Sequence, residues 1–301
     1  MFKSGFIGII GRPNVGKSTL LNSIVGERIA IATHKPQTTR NRIMGIRNLP
    51  EGQLIFLDTP GIHQAETLLN RYMVDTALDT FGNSDLLLLV VEADAGCQPG
   101  DQFIIERLGE ALGEKQIPIL LVINKIDLIA KPHLLPLIDR FRGLFPFSAI
   151  VPISARTGDG IPILLTEIWP HLNEGPEYFP EDMMTDRSER FIAAEMIREQ
   201  IILLVRQEVP YSLAVVVEAF QEVEKSDLLR IKAVINVEKD SHKGILIGRQ
   251  GAMLKQIGTA ARLSLEKFFA TRVYLELFVK VRPGWTKDAK ILKEFGYGEK
   301  S

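Results

Sequence analysis

Hydrophobic positions over the first 172 residues fall into short runs separated by amphipathic stretches. Phe6–Ile10, Leu54–Leu57, Leu86–Val91, Ile119–Ile123 and Ile150–Ile153 are rich in Leu or β-branched residues and have strand length. Helix-length segments lie between them, at Lys17–Val25, Thr67–Thr80, Asp101–Leu112 and His133–Arg142. Such alternation predicts a doubly wound α/β domain over residues 1–172, built on a mostly parallel sheet with helices on both faces. Arg42–Arg47 and Gln53–Asp58 flank Asn48-Leu49-Pro50-Glu51-Gly52, which predicts a hairpin adding one antiparallel strand.

Residues 173–188, with two prolines, a glycine and five acidic side chains, break the pattern and predict a linker or strapped-down connector. Beyond it the order of elements changes. A helix over Glu189–Gln207 comes first, then strands Leu213–Val223 and Leu229–Val237. A helical turn near His242–Ile247 leads into Gly248-Arg249-Gln250-Gly251. A helix to about Phe268, a strand Arg272–Val281 and a short C-terminal helix complete an α+β domain over residues 189–301.

A chain of 301 residues suits two such domains. A single cysteine, Cys97, cannot form an internal disulfide, and no Cys/His cluster has zinc spacing, so a reducing cytoplasm is expected. Leu86–Val91 and Ile117–Ile123 fall far short of a membrane span, and the first residues show no cleavable export pattern. Thirty-six basic against 37 acidic side chains would argue against a nucleic-acid partner, but the charge is segregated. Residues 1–172 are near neutral, residues 173–228 carry a net −8 and residues 229–301 a net +8. A basic segment holding a GxxG loop is the electrostatic footprint of an RNA partner.

Gly11-Arg12-Pro13-Asn14-Val15-Gly16-Lys17-Ser18 follows a strand and opens a helix, and so fits the G-x-x-x-x-G-K-[ST] phosphate loop in its proper setting. Backbone N–H groups and the helix N-terminus would hold phosphates there. Lys17 would supply charge to the β/γ-phosphates and Ser18 a hydroxyl to Mg²⁺, with Thr19 next in the helix. Asp58-Thr59-Pro60-Gly61 ends a strand: Asp58 is placed to hold Mg²⁺ through water, and the Gly61 N–H to meet a γ-phosphate. Asn124-Lys125-Ile126-Asp127 selects the base. The Asp127 carboxylate would accept bonds from N1–H and the 2-amino group of guanine, which adenine cannot offer. Ser154-Ala155-Arg156 fits a loop whose backbone reads guanine O6.

These residues, with Thr38-Thr39-Arg40, resemble the translation-factor-related P-loop GTPases in order and spacing across residues 5–172. The resemblance implies GTP/GDP and Mg²⁺ as cofactors and makes Thr39 the switch threonine that closes over Mg²⁺, with Thr38 the alternative. Ile62 stands where many GTPases carry a water-orienting glutamine, and isoleucine cannot orient water. His63 reads as an exposed loop residue rather than a base. In relatives with G-R-P-N-x-G-K-S, an asparagine at the place of Asn14 helps hold a potassium ion that replaces an arginine finger. Lys17, Thr39, Gly61 and Asn14 are therefore the expected catalytic set.

The helix-first order around Gly248–Gly251 resembles a bacterial-type KH domain, in which the loop, with Arg249, Gln250, Lys243 and Lys255, meets the RNA backbone and His242 lies close by. Trp285, Phe295 and Tyr297 read as packing residues rather than base-stacking ones. A GTPase of this subgroup with one C-terminal KH domain resembles a bacterial family acting in ribosome assembly. That resemblance implies a monomer that binds 16S ribosomal RNA and the small ribosomal subunit, with peripheral contact at the inner membrane. The rival reading is a GTP-dependent scaffold that uses the basic domain for a protein or membrane contact.

Overall fold

The computed structural model describes residues 1–35, 37–62, 67–112, 117–205, 209–223 and 226–298. His63 lies outside them. The chain forms two compact units, residues 1–65 with 73–186, and residues 187–301 with the short stretch 66–72.

The first unit runs β1 (Lys3–Gly11), α1 (Lys17–Val25), β2 (Ile43–Leu49), β3 (Gly52–Asp58), α2 (Leu68–Gly82, of which the part from Met73 belongs to this unit), β4 (Leu86–Glu92), α3 (Pro99–Leu112), β5 (Ile119–Asn124), α4 (Leu134–Arg142), β6 (Ala149–Pro152) and α5 (Ile161–Ile168). Its six strands lie in the order β2-β3-β1-β4-β5-β6. Every pairing is parallel except β2 with β3, the expected hairpin. Leu86–Val91 and Ile119–Ile123 are buried throughout because these central strands are covered on both faces, which is why they read as unbroken apolar runs. On one face Ile10, Leu87, Leu89, Leu121 and Ile123 pack with Ala77, Phe81, Ile104, Leu108 and Phe141.

Residues 173–186 belong to this unit and are strapped along its hairpin edge. Ser4 N–H donates to Asn173 O (3.2 Å), and Ile46 N–H to Met184 O (2.8 Å). Gln53, fully buried in β3, clasps the middle of the strap. Its Nε2 donates to Phe179 O (2.8 Å), while its Oε1 accepts from Tyr178 N (3.0 Å) and Phe179 N (3.1 Å). The connector is thus held by backbone bonds to the first domain rather than free.

The second unit runs α6 (Glu189–Leu204), β7 (Leu213–Glu222), β8 (Leu228–Val237), α7 (Asp240–Ile247), α8 (Ala252–Phe269), β9 (Arg272–Val281) and α9 (Ala289–Glu294). Ser188 caps α6 by accepting from Phe191 N (3.3 Å). β8 pairs antiparallel with β7 and parallel with β9. Ile197 and Ile201 of α6 and Ile257, Ala261 and Leu265 of α8 cover Ile231, Ala233 and Ile235 of the sheet. Trp285 is fully buried, donates from Nε1 to Ser212 O (3.1 Å) and stacks on Tyr297 with Phe295 edge-on, as a packing cluster would.

Candidate nucleotide and RNA sites

In parallel α/β sheets ligands bind beyond the carboxyl ends of the strands. There β1 delivers the loop Gly11–Gly16, β3 delivers Asp58–Gly61, and β5 delivers Asn124–Asp127. At the centre Ser18 Oγ donates to Asp58 Oδ2 (2.6 Å) and lies 2.7 Å from Thr39 Oγ1. Thr38 faces elsewhere: its hydroxyl donates to Lys35 O (2.7 Å) and lies against Thr33 Oγ1 (2.7 Å). The structure therefore brings Thr39, and not Thr38, to Ser18 and Asp58.

Lys17 is buried and donates from Nζ to Gly11 O (3.0 Å) and Arg12 O (2.8 Å). Burial lowers its pKa to about 8; the Asp58 carboxylate opposes that fall, Arg12 adds to it and Glu92 opposes it again. Burial likewise raises Asp58 to about 6 against the pull of Lys17 and of the Ser18 hydroxyl. Both shifts signal charges held out of water with too little compensation. Asp58 Oδ1 is buried without a hydrogen-bond partner. An orphaned carboxylate oxygen beside two hydroxyls is a hard-oxygen donor set that suits Mg²⁺. Among the described residues no group of three or more His, Cys, Asp or Glu could hold a metal, so such an ion would share its shell with phosphates and water.

Gly61 lies so close to the phosphate loop that a Cβ would sit 2.5 Å from Pro13 N. Ile62 N donates to Gly11 O (3.3 Å), and its side chain is buried with Ile10 and Ala77 in the core. The Thr59 hydroxyl is spent on Ile9 O (2.8 Å), and Pro60 is buried. Thr19 is half-buried in the first turn of α1. Asn14, at φ 67°, donates from Nδ2 to His34 O in the switch loop (3.0 Å).

The base-reading motif braces the phosphate loop. Asn124 Nδ2 donates to Val15 O (2.8 Å), and its Oδ1 accepts from Ala155 N (2.9 Å). Within the Ser154-Ala155-Arg156 loop, whose backbone is expected to read guanine O6, the Ala155 N–H is thus taken up by Asn124. Asp127 accepts from Ser154 Oγ (2.7 Å) and from Arg156 (2.7 Å), whose side chain is 72% exposed. The Ser154 hydroxyl above all holds the Asp127 carboxyl below its ordinary range, with burial opposing and Arg156 adding to the fall. Arg12 contributes only backbone to the loop: its guanidinium turns away to Asp101 (2.7 Å) and Glu92 (3.6 Å). Lys125, at φ 65°, makes an ion pair with Glu92. Glu92 and Asp101 carry no motif signal and were not anticipated from sequence.

In the second unit Gly248, at φ 70°, follows α7, and a Cβ there would meet Met253 Cβ at 2.7 Å. Gln250 also has a left-handed backbone (φ 53°), so the tetrapeptide is a sharp turn into α8. Arg249, Gln250 and Lys255 are exposed, while Lys243 and Gly251 are half-buried. A groove of about 400 Å³ runs from Gly251 along Lys255, Gly258 and Arg262 to Leu275 and Leu277. An apolar floor with basic walls beside a glycine turn is the form of a single-strand RNA groove. His242 is not at its surface: it is buried, with Nδ1 3.1 Å from Ser212 Oγ, and serves packing.

The fold and sites define a P-loop GTPase joined to a KH domain. Residues 6–125 match the family described as 50S ribosome-binding GTPase, and residues 208–286 match the KH domain. The chain belongs to the Era family of GTPases. It is 64% identical over 299 residues to GTPase Era of Syntrophus aciditrophicus, covering 99% of this chain and 96% of that one. It is 53% identical over 296 residues to GTPase Era of Geobacter metallireducens, covering 98% of each. An Aquifex aeolicus Era variant bound to GDP·AlF4⁻ superposes with a TM-score of 0.94 at 40% identity, over 99% of this chain and 100% of that one. Era in complex with MgGDPNP and nucleotides 1506–1542 of 16S ribosomal RNA gives 0.95 at 40%, over the same shares.

Proposed function

We propose that this protein binds GTP with Mg²⁺, hydrolyses it slowly to GDP and phosphate, and binds 16S ribosomal RNA through its KH domain during small-subunit assembly, with nucleotide state controlling RNA binding. The observation that carries this reading is the convergence of Lys17, Ser18, Thr39 and Asp58, with Asp127 in the loop after β5, in a chain that also presents Gly248–Gly251. Ser18, Thr39 and Asp58 would hold Mg²⁺, which when bound neutralises charge on the phosphates. Gly11–Gly16 would donate N–H groups to the phosphates, and Lys17 would exchange its bonds to Gly11 O and Arg12 O for phosphate oxygens. Asp127 would exchange Arg156 for guanine.

Ile62 lies in the core and offers no hydrogen bond to orient the attacking water, so turnover should be slow. A potassium ion beside Asn14, where the side chain already meets the switch-loop carbonyl of His34, would stabilise charge on the phosphates. Loss of the γ-phosphate would release the loops carrying Thr39 and Gly61, and so signal to the RNA-binding domain. Among the described residues no helix is long and apolar enough to cross a membrane. Our reading is a cytoplasmic monomer with peripheral contact at the inner membrane face.

The test reverses charge in the RNA loop. Replacing Arg249 and Lys243 by Glu should weaken binding of a 16S 3′-end RNA at least a hundredfold, as the loss of two phosphate contacts with added repulsion implies. GTP affinity should stay within about twofold. RNA binding that survives both changes would favour the scaffold reading instead.

A further inference from the structure

β4 lies between β1, which leads into the phosphate loop, and β5, which leads into the base-reading motif. Val90 pairs with Gly11 on one side, and Glu92 with Asn124 on the other. The side chain at the carboxyl end of β4 is therefore flanked by both nucleotide-contacting loops. That side chain is Glu92, only 14% exposed. One of its oxygens pairs with Lys125 Nζ and the other lies 3.6 Å from Arg12. Arg12 Nε continues to Asp101 Oδ1 (2.7 Å), a carboxylate with no solvent exposure. The second Asp101 oxygen accepts from Gln98 N (2.9 Å) at the start of α3. Gly100 is packed so closely on Arg12 that a Cβ would lie 2.6 Å from Arg12 Cδ.

We propose that Glu92 is a positioning residue for guanine-nucleotide binding: it clamps the phosphate loop, through Arg12, to the base-reading loop, through Lys125, with Asp101 as the fixed end of the chain. Both cations sit one residue from atoms that would touch nucleotide, Arg12 beside Gly11 and Lys125 beside Asn124. Lys125 occupies a left-handed backbone that a lysine does not favour, so its direction depends on the side-chain anchor. Anchoring its ammonium at Glu92 fixes the stem next to Asp127, and the guanidinium held by two carboxylates fixes Arg12 within the phosphate loop. The clamp is sheltered and charge-assisted, so salt screens it little.

This inference rests on the guanine-nucleotide reading of the site. The experiment measures release of a fluorescent GDP from the full-length protein. Glu92→Gln keeps the shape and removes the charge, and release should be at least tenfold faster, with KM for GTP rising more than kcat falls. Because one arm of the clamp runs through Lys125, Glu92→Gln should speed release by a smaller factor in a Lys125→Met background than in the wild type. Unchanged release, or full additivity of the two substitutions, would overturn the clamp. A lower thermal midpoint with kcat reduced and KM unchanged would mark a merely structural role and overturn it too. Should Glu92→Gln not fold, Arg12→Gln and Lys125→Met, which both remove a partner of the Glu92 carboxylate, must be non-additive, and additivity refutes the proposal. A wild-type protein that fails to bind GDP in the same assay would instead refute the nucleotide reading.

Discussion

The Gln53 clasp predicts a stability change whose size follows from its geometry. One fully buried amide satisfies two N–H groups and one carbonyl of the strap and also donates to Asn48 Oδ1 (2.8 Å). Gln53→Met keeps the volume and removes all four bonds. At about 0.5–1.5 kcal/mol net per bond the upper range is about 6 kcal/mol. Tyr178 is half-exposed, however, and strap backbone that loses its partners can turn to water, which limits the loss to about 2–3 kcal/mol. With a urea dependence of about 2–3 kcal/mol per molar, the first-domain midpoint should fall by about 1 M. Urea denaturation followed by circular dichroism reads the midpoint, and limited proteolysis reads the strap, where cleavage within residues 173–186 should accelerate. A midpoint shift under about 0.2 M with unchanged cleavage would show that the strap is held by something other than Gln53.

Three further outcomes follow from the two sites. Asp127→Asn should cut GTP affinity by about 10²–10⁴, the worth of two charge-assisted bonds, and shift preference toward xanthosine nucleotides in competition binding; retained guanine preference would remove Asp127 from its role. GTP turnover at constant ionic strength should rise when Na⁺ is replaced by K⁺, and Asn14→Ala should abolish the difference; equal rates in the two salts refute the potassium proposal. Gly248→Ala forces a side chain into positive φ and against Met253, so it should lower second-domain stability by about 1–3 kcal/mol and weaken RNA binding together, read by thermal melting and filter binding.

Much of this molecule was legible because phosphate and base chemistry demand particular residue types in short order. The phosphate loop, Asp58–Gly61 and Asn124–Asp127 each begin at the carboxyl end of one strand and run only a few residues, so each is local in the chain as well as in space. The apolar runs marked the strands for a similar local reason, since burial on both faces leaves no polar alternation to confuse the pattern. What stayed hidden depends on sheet order. Glu92 gains its neighbours only because β4 is inserted between β1 and β5, strands that are more than 100 residues apart in sequence. Gln53 opens a strand with no motif signal, yet the strap turns it into the bonding centre of an edge. Arg12 lies within the motif but turns its charge out of it, and Glu92 with Asp101, the latter 89 positions later, explains where that charge goes. Between Thr38 and Thr39 the residue types are identical, so the choice falls to backbone direction: one hydroxyl closes a local turn on Lys35, and the other reaches Ser18. Motifs thus report what touches the ligand, whereas the groups that hold those motifs in register are set by tertiary neighbours and require the fold to be seen.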